Sequence, residues 1–226
     1  GKDPMIVLPG ADMEAAATHA ARESVRNAGQ VCVAVERLLV HRDIAPAFTQ
    51  RAAEIVRGLT VGDPGDEATD IGPMVSARQR EQVLAQIADA RSRGATVVVD
   101  GQATGPGSYL HPSVLAGITE DMDIARHETF GPVVAIQEVD SGEHALELAN
   151  ASIYGLGASI WGKPGPELDA LADRIEAGMV GINRGLSAAA GAPWVGWKQS
   201  GLGHTRSVSG LRQFMQPTTR SWRAKS

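Results

Sequence analysis

The one cysteine of this chain, Cys32, stands in the stretch RNAGQVCVAVER (26–37), after a Gly-Gln pair and before an apolar run broken only by Glu36 and Arg37. A thiol can serve in two unlike ways. As a residue type, free cysteine is among the most often buried and packs as a small apolar side chain. As a thiolate it attacks carbonyl carbon, provided its surroundings favour ionisation over an ordinary thiol pKa of about 8.5. The six histidines, His19, His41, His111, His127, His144 and His204, are scattered, and none stands at a recognised zinc-ligand spacing, so no metal site is expected. His19 or His127 could be the base of a thiol hydrolase only if folding brings one of them to Cys32. No strand precedes a GxGxxG or Walker pattern. The glycines of GLGASIWG (155–162) fall in a strand-like run, where glycine marks close packing more often than phosphate binding.

The elements that must position these residues alternate along the chain. MIVL (5–8) reads as a short buried strand, and Asp12 as the N-cap of a helix to Val25 with Met13, Ala17, Ala20 and Val25 on one face. VERLLV (35–40) is a strand. Residues 43–58 form a helix with Ile44, Phe48, Ala52, Ile55 and Val56 inward. A polar loop (61–73) leads to a helix over 75–93, a strand over 95–100 and a turn over 101–107. Strands follow at 133–139, 157–162 and 179–183, with helices near 141–150 and 166–177. Strands separated by helices predict an α/β fold with a largely parallel sheet flanked by helices. The closing QPTTRSWRAKS (216–226) is polar, a tail or an edge strand.

Composition narrows the function classes. The 226 residues, 43% apolar and 21% charged, suit a globular protein with a sizeable core. A net charge of -5 without long runs argues against nucleic acid or an anionic membrane as partner. One cysteine excludes an internal disulfide framework and fits a reducing, cytoplasmic compartment. No apolar stretch reaches membrane-spanning length.

GQVC, set between a helix and a strand, resembles the cysteine motif of the NAD(P)-dependent aldehyde dehydrogenase superfamily. GKDPMIVL (1–8), VGDPGDEATDIGPM (61–74), HETFGPVVAI (127–136), YGLGASIW (154–161), GMVGIN (178–183) and WKQSGLGHTRSVSGL (197–211) match the same family in the same order. Cys32 with ETFGP is the specific pair; the glycine-rich pieces alone would be weak. The resemblance implies that residues 1–215 are the family's catalytic domain and 216–226 a tail that takes part in oligomerisation. It also implies that the dinucleotide-binding domain, and the Glu of a Glu-Leu-Gly-Gly-Lys motif that activates water, would precede Gly1. Two lesser departures stand out: Val195 where the family commonly has glycine, and His204 where arginine is usual.

The implied roles follow residue by residue. Cys32 matches the nucleophile, Glu128 the carboxylate that holds the nicotinamide ribose hydroxyls, and Phe130 the ring that positions the nicotinamide of NAD or NADP. On residue type alone, Glu128 would be a solvated loop carboxylate. RNAGQ and GINRGLS (181–187) most resemble the succinate-semialdehyde dehydrogenase branch, where an Arg six residues before the cysteine and a loop Ser bind the substrate's distal carboxylate. Arg26 and Ser187 occupy those places, and a guanidinium recognises a carboxylate bidentately. The plainer reading of Arg26 is a helix-end residue facing water, favoured there by the helix dipole. The Ala-rich LSAAAGAPW departs from that branch and leaves a broader aldehyde substrate open. Ala34 stands where some members carry a second, redox-active cysteine. The expected activity is therefore oxidation of an aldehyde to an acid by a homo-oligomer, with the 226-residue chain inactive by itself. A truncated product with only a subunit-interaction role, and a Cys-His thiol hydrolase, are the alternatives.

Overall fold

The computed structural model describes residues 1–104, 107–186 and 191–223. Strand β1 (Asp3–Val7) is buried along its whole length and gives way at Pro9-Gly10 to helix α1 (Met13–Val25). Asp12 caps α1 by accepting the Ala15 N–H at 3.0 Å, a contact worth about 1 kcal/mol. The inward face of α1 is built from alanines (Ala16, Ala17, Ala20, Ala21), which lets it pack closely on α2 (Ala45–Arg57) through Ala45, Ala52 and Ala53. Between them runs β2 (Val35–His41), parallel to β1.

The next elements are α3 (Ala77–Ser92), β3 (Thr96–Val99), β4 (Ser113–Ala116), the single turn α4 (Asp123–Arg126), β5 (Val133–Val139), α5 (Gly142–Asn150) and β6 (Tyr154–Gly155). After them come β7 (Gly157–Trp161), α6 (Pro166–Ala172) and β8 (Met179–Ile182). Among the described residues a seven-stranded sheet takes the order β3-β4-β5-β2-β1-β7-β8, with only β3 antiparallel to its neighbour. Strand alternation decides the two cores. Met5, Val7, Leu38 and Val40 face α1, α2 and α3, whereas Ile6, Leu39 and Val139 face α5 and α6. Burial on both faces explains why the central strands carry apolar stretches such as Met5–Val7, Leu38–Val40 and Val133–Ile136 rather than strict alternation.

The largely parallel α/β expectation is met, with local differences. β4 and α4 were not anticipated: each is four residues long, too short for a periodic signal. The helix expected over 166–177 stops at Ala172, because the Asn150 side chain captures the Arg174 carbonyl at 2.9 Å and the Glu176 N–H at 2.8 Å, turning the chain into β8. The C-terminal part adds β9 (Trp194–Val195), β10 (Trp197–Lys198), β11 (His204–Thr205) and α7 (Ser207–Arg212). The described residues 216–223 form no strand and are exposed.

Candidate active site

β1, β2, β5 and β7 are parallel, so their amino ends lie along one edge of the sheet. Lys2, Cys32 and the Glu128–Phe130 segment each sit just ahead of one of these strands, which brings the motifs together. Cys32 occupies a turn closed by the Ala34 N–H on the Val31 carbonyl at 2.9 Å, and its side chain is exposed. That exposure overturns the reading of Cys32 as a small core residue.

The loop before the cysteine is held in an uncommon conformation. Asn27, Ala28 and Gly29 all have positive φ (54°, 55° and 71°), a run that persists only where the surroundings dictate it. Two reciprocal bonds supply part of that constraint: Asn27 Nδ2 donates to the Gln30 carbonyl and Gln30 Nε2 to the Asn27 carbonyl, both at 3.1 Å. Gln30 Oε1 also accepts the Val75 N–H at 2.8 Å, tying the loop to the segment before α3. Gly29 lies against the second motif, since a Cβ there would stand 2.0 Å from the Gly131 carbonyl oxygen and 2.8 Å from Pro132 N. The cysteine loop and ETFGP are therefore packed backbone to backbone. Gly1 joins them from a third side: a Cβ on it would come within 2.6 Å of the Cys32 carbonyl oxygen. Glu128 and Phe130 are half-buried.

A buried pair that residue types alone did not single out completes this cluster. Lys2 Nζ donates to Glu36 Oε2 at 2.8 Å, with side-chain exposures of 0% and 7%. Burial pulls the Lys2 ammonium below its ordinary pKa, and the Glu36 carboxylate opposes that shift. The available signal was a charged pair, Glu36-Arg37, inside an otherwise apolar strand. Arg37 is structural, donating to the Leu148 and Ala149 carbonyls at the end of α5, both at 2.9 Å.

Beside the cysteine loop lies a cavity of about 380 Å³ whose lining includes Asp3, His19, Arg26, Ser159, Arg184 and Leu186. Arg26 thus faces a cavity, but its Nε already donates to Glu23 Oε2 at 2.8 Å and the side chain is 53% exposed. Ser187 lies outside the described residues. His19 stacks on Trp161, ring centroids 5.4 Å apart, and fills the space beneath Gly185, where a Cβ would be 2.0 Å from its Cε1. Burial lowers the His19 pKa. Among the described residues no hydrogen bond joins Cys32 to a histidine, and none of His, Cys, Asp and Glu cluster as a metal site.

Asp3 is the most perturbed carboxyl of this region. Burial holds it well above the usual carboxylate range, offset only partly by the Gly157 N–H donating to Oδ1 at 3.2 Å; among the described residues Oδ2 has no hydrogen-bond partner. A raised folded-state pKa means that protonated Asp3 favours folding and that this contribution is lost as pH rises through the raised value. Asp3→Asn should therefore flatten the decline of stability as pH rises from the ordinary carboxylate range through the raised value, and leave the variant melting higher than the parent above it. Thermal melts of both proteins across the pH range check this, and parallel curves would contradict it.

The two departures from the family pattern, Val195 and His204, are cross-strand partners in the β9–β11 ladder, so they change one local contact together. The glycines at 155 and 157 serve packing: a Cβ on Gly157 would stand 2.1 Å from Leu186 Cδ1.

The Aldehyde dehydrogenase family model matches residues 1–220, and the chain belongs to that family. An aldehyde dehydrogenase of Paenarthrobacter nicotinovorans is 41% identical over 221 residues, covering 97% of this chain and 48% of that protein. A succinate-semialdehyde dehydrogenase (NADP+) of Deinococcus radiodurans is 38% identical over 215 residues, covering 95% of this chain and 45% of that protein. The crystal structure of an aldehyde dehydrogenase from Brucella melitensis biovar abortus superposes with a TM-score of 0.92 at 36% identity, over 96% of this chain and 44% of that one. The chain spans less than half the length of these relatives. Among the described residues no helix is long and apolar enough to cross a membrane.

Proposed function

We propose that the chain is the catalytic part, residues 1–215 with a tail from 216, of an enzyme that oxidises an aldehyde to a carboxylic acid with NAD or NADP. The observation that carries this reading is the packing of the Cys32 loop on the Glu128–Phe130 loop through Gly29 and Gly131. Cys32 Sγ forms a bond to the aldehyde carbon, and the carbonyl pair moves onto oxygen, where the backbone N–H of the cysteine itself can support it. The nicotinamide, when bound, accepts the hydride that leaves this carbon. Loss of hydride restores the carbonyl as a thioester on Cys32, and water then cleaves the C–S bond to release acid and thiol. Glu128 offers carboxylate oxygens to the ribose hydroxyls and Phe130 an aromatic face to the nicotinamide. Both belong to a loop held against the nucleophile, which fits the near-contact distance that hydride transfer needs. The names of several relatives favour NADP and succinate semialdehyde. The exposed apolar side chains of Leu211, Phe214, Met215 and Trp222 favour a subunit contact at the C-terminal end.

The test is turnover. Joined to a dinucleotide-binding half, the chain should reduce NADP with an aldehyde, whereas residues 1–226 alone should not. Robust reduction by the isolated chain would show the site to be self-sufficient, and no reduction by the joined protein would remove the proposal.

Substrate selection rests on Arg26 and Ser187. In the joined protein, Arg26→Ala should lower kcat/KM for succinate semialdehyde roughly ten- to a hundredfold, the cost of losing a charge-assisted bidentate contact. An uncharged aldehyde of equal length never made that contact and should barely respond. The ratio between the substrates is the observable, since it cancels general damage, including loss of the Glu23 pair. Equal losses on both substrates would make Arg26 structural.

A further inference from the structure

A buried carboxylate at the start of a largely apolar strand is costly unless it is fully engaged. Glu36 is engaged on one target. Its Oε2 accepts the Thr129 N–H at 2.8 Å and its Oε1 the Phe130 N–H at 2.9 Å, so consecutive amides of one loop meet the two oxygens of one carboxylate. Lys2 Nζ bonds Glu36 Oε2 at 2.8 Å and Thr129 Oγ1 at 3.0 Å, fixing the carboxylate and the loop with one ammonium. From the other side Gln79 Nε2 donates to the carbonyls of the same two residues, at 3.0 Å to Thr129 and 3.2 Å to Phe130. Both N–H groups and both carbonyls of Thr129–Phe130 are thereby held. The need is visible in the backbone: Phe130 has φ +48°, a region an aromatic residue adopts only under constraint. Fold stability alone would be served as well by apolar residues in place of a buried ion pair, whereas fixing two successive amides requires a carboxylate.

We propose that Glu36, steadied by Lys2 and opposed by Gln79, is the positioning residue that sets the Thr129–Phe130 backbone and so aims Glu128 and Phe130 at the nicotinamide nucleotide. Glu36 lies four residues after Cys32, so β2 carries the nucleophile at its approach and the support of the cofactor loop within its length. The inference rests on Glu128 and Phe130 being the cofactor contacts.

The test uses the chain joined to a dinucleotide-binding half, with NADPH binding read by fluorescence, melting temperature, and Cys32 carbamidomethylation by iodoacetamide. Glu36→Gln should weaken NADPH binding about tenfold or more by losing one amide acceptor and the Lys2 pair, while the rate of Cys32 alkylation stays within about twofold. Amide exchange at Thr129 and Phe130 should accelerate in the same variant. The double variant Lys2→Met, Glu36→Gln removes the unpaired buried ammonium and should recover melting temperature without recovering NADPH affinity. Gln79→Ala leaves no buried charge behind, keeps the fold, and should weaken NADPH roughly threefold. Recovery of affinity together with melting temperature in the double variant, or unchanged NADPH binding in Glu36→Gln and Gln79→Ala, would overturn the proposal. Glu128→Gln and Phe130→Ala separate the two levels. If they weaken NADPH and the Glu36 and Gln79 variants do not, positioning alone fails; if they leave NADPH binding intact, the cofactor reading of the loop fails and positioning falls with it.

Discussion

Replacing Cys32 by serine will lower aldehyde oxidation in the joined protein by about 10⁴-fold or more, the scale seen when a covalent nucleophile is removed. A serine hydroxyl matches the thiol in shape but is scarcely ionised at neutral pH, so carbon–heteroatom bond formation is lost while binding surfaces stay. Stability will hardly change, with the melting temperature within about 2 °C, because Cys32 is exposed in a turn and fills no core space. Activity assays and melts on the same preparation check both halves. A fully active Cys32→Ser protein would remove covalent catalysis from this site, and a large fall in melting temperature would mean the thiol is a packing residue after all.

Gly29→Ala will be the most damaging single methyl group in the chain's site. Its Cβ would fall 2.0 Å from the Gly131 oxygen and 2.2 Å from the Gly131 carbon, backbone atoms that cannot swing aside. Gly29 also has φ +71°, adding a conformational penalty. Relief requires the cysteine loop to part from ETFGP, so a loss of about 3 kcal/mol or more in stability is expected, with aldehyde turnover falling further than stability alone explains. Gly94→Ala is the control. Gly94 has φ +100° but nothing within 4 Å of a Cβ, so it pays only the conformational cost of about 1 kcal/mol. Urea midpoints of the two variants separate steric contact from backbone strain, and equal losses would contradict the loop-on-loop packing.

Much of the frame was legible because it rests on local rules. The alanine stripe of α1 carries a periodic signal, Asp12 a capping signal, and the doubly buried strands short apolar runs, all of which survive in a single sequence. β4 lacked such a signal: four residues after Pro112 gain strand character only by lying between β3 and β5. Motif resemblance picked out Cys32, Glu128 and Phe130. Their meeting depends on parallel strand order, which placed the approaches to β1, β2 and β5 at one edge. The Lys2–Glu36 pair could not be read in advance, because its partners are 34 residues apart and its target loop more than 90 residues from Glu36. A charge within an apolar strand marks that something must satisfy it, without saying what. Arg26 illustrates the opposite limit: the resemblance pointed to a substrate contact there, and its pairing with Glu23 carried no signal in that resemblance.

The most direct measurement is mass spectrometry of the joined protein, quenched in acid during turnover of succinate semialdehyde with NADP. Acid traps a thioester whose hydrolysis is slower than its formation. A nucleophilic Cys32 predicts the acyl mass on the peptide containing residues 26–37 and its disappearance in Cys32→Ser. Turnover that continues with Cys32 unmodified, or an acyl group found on another residue, would contradict that role.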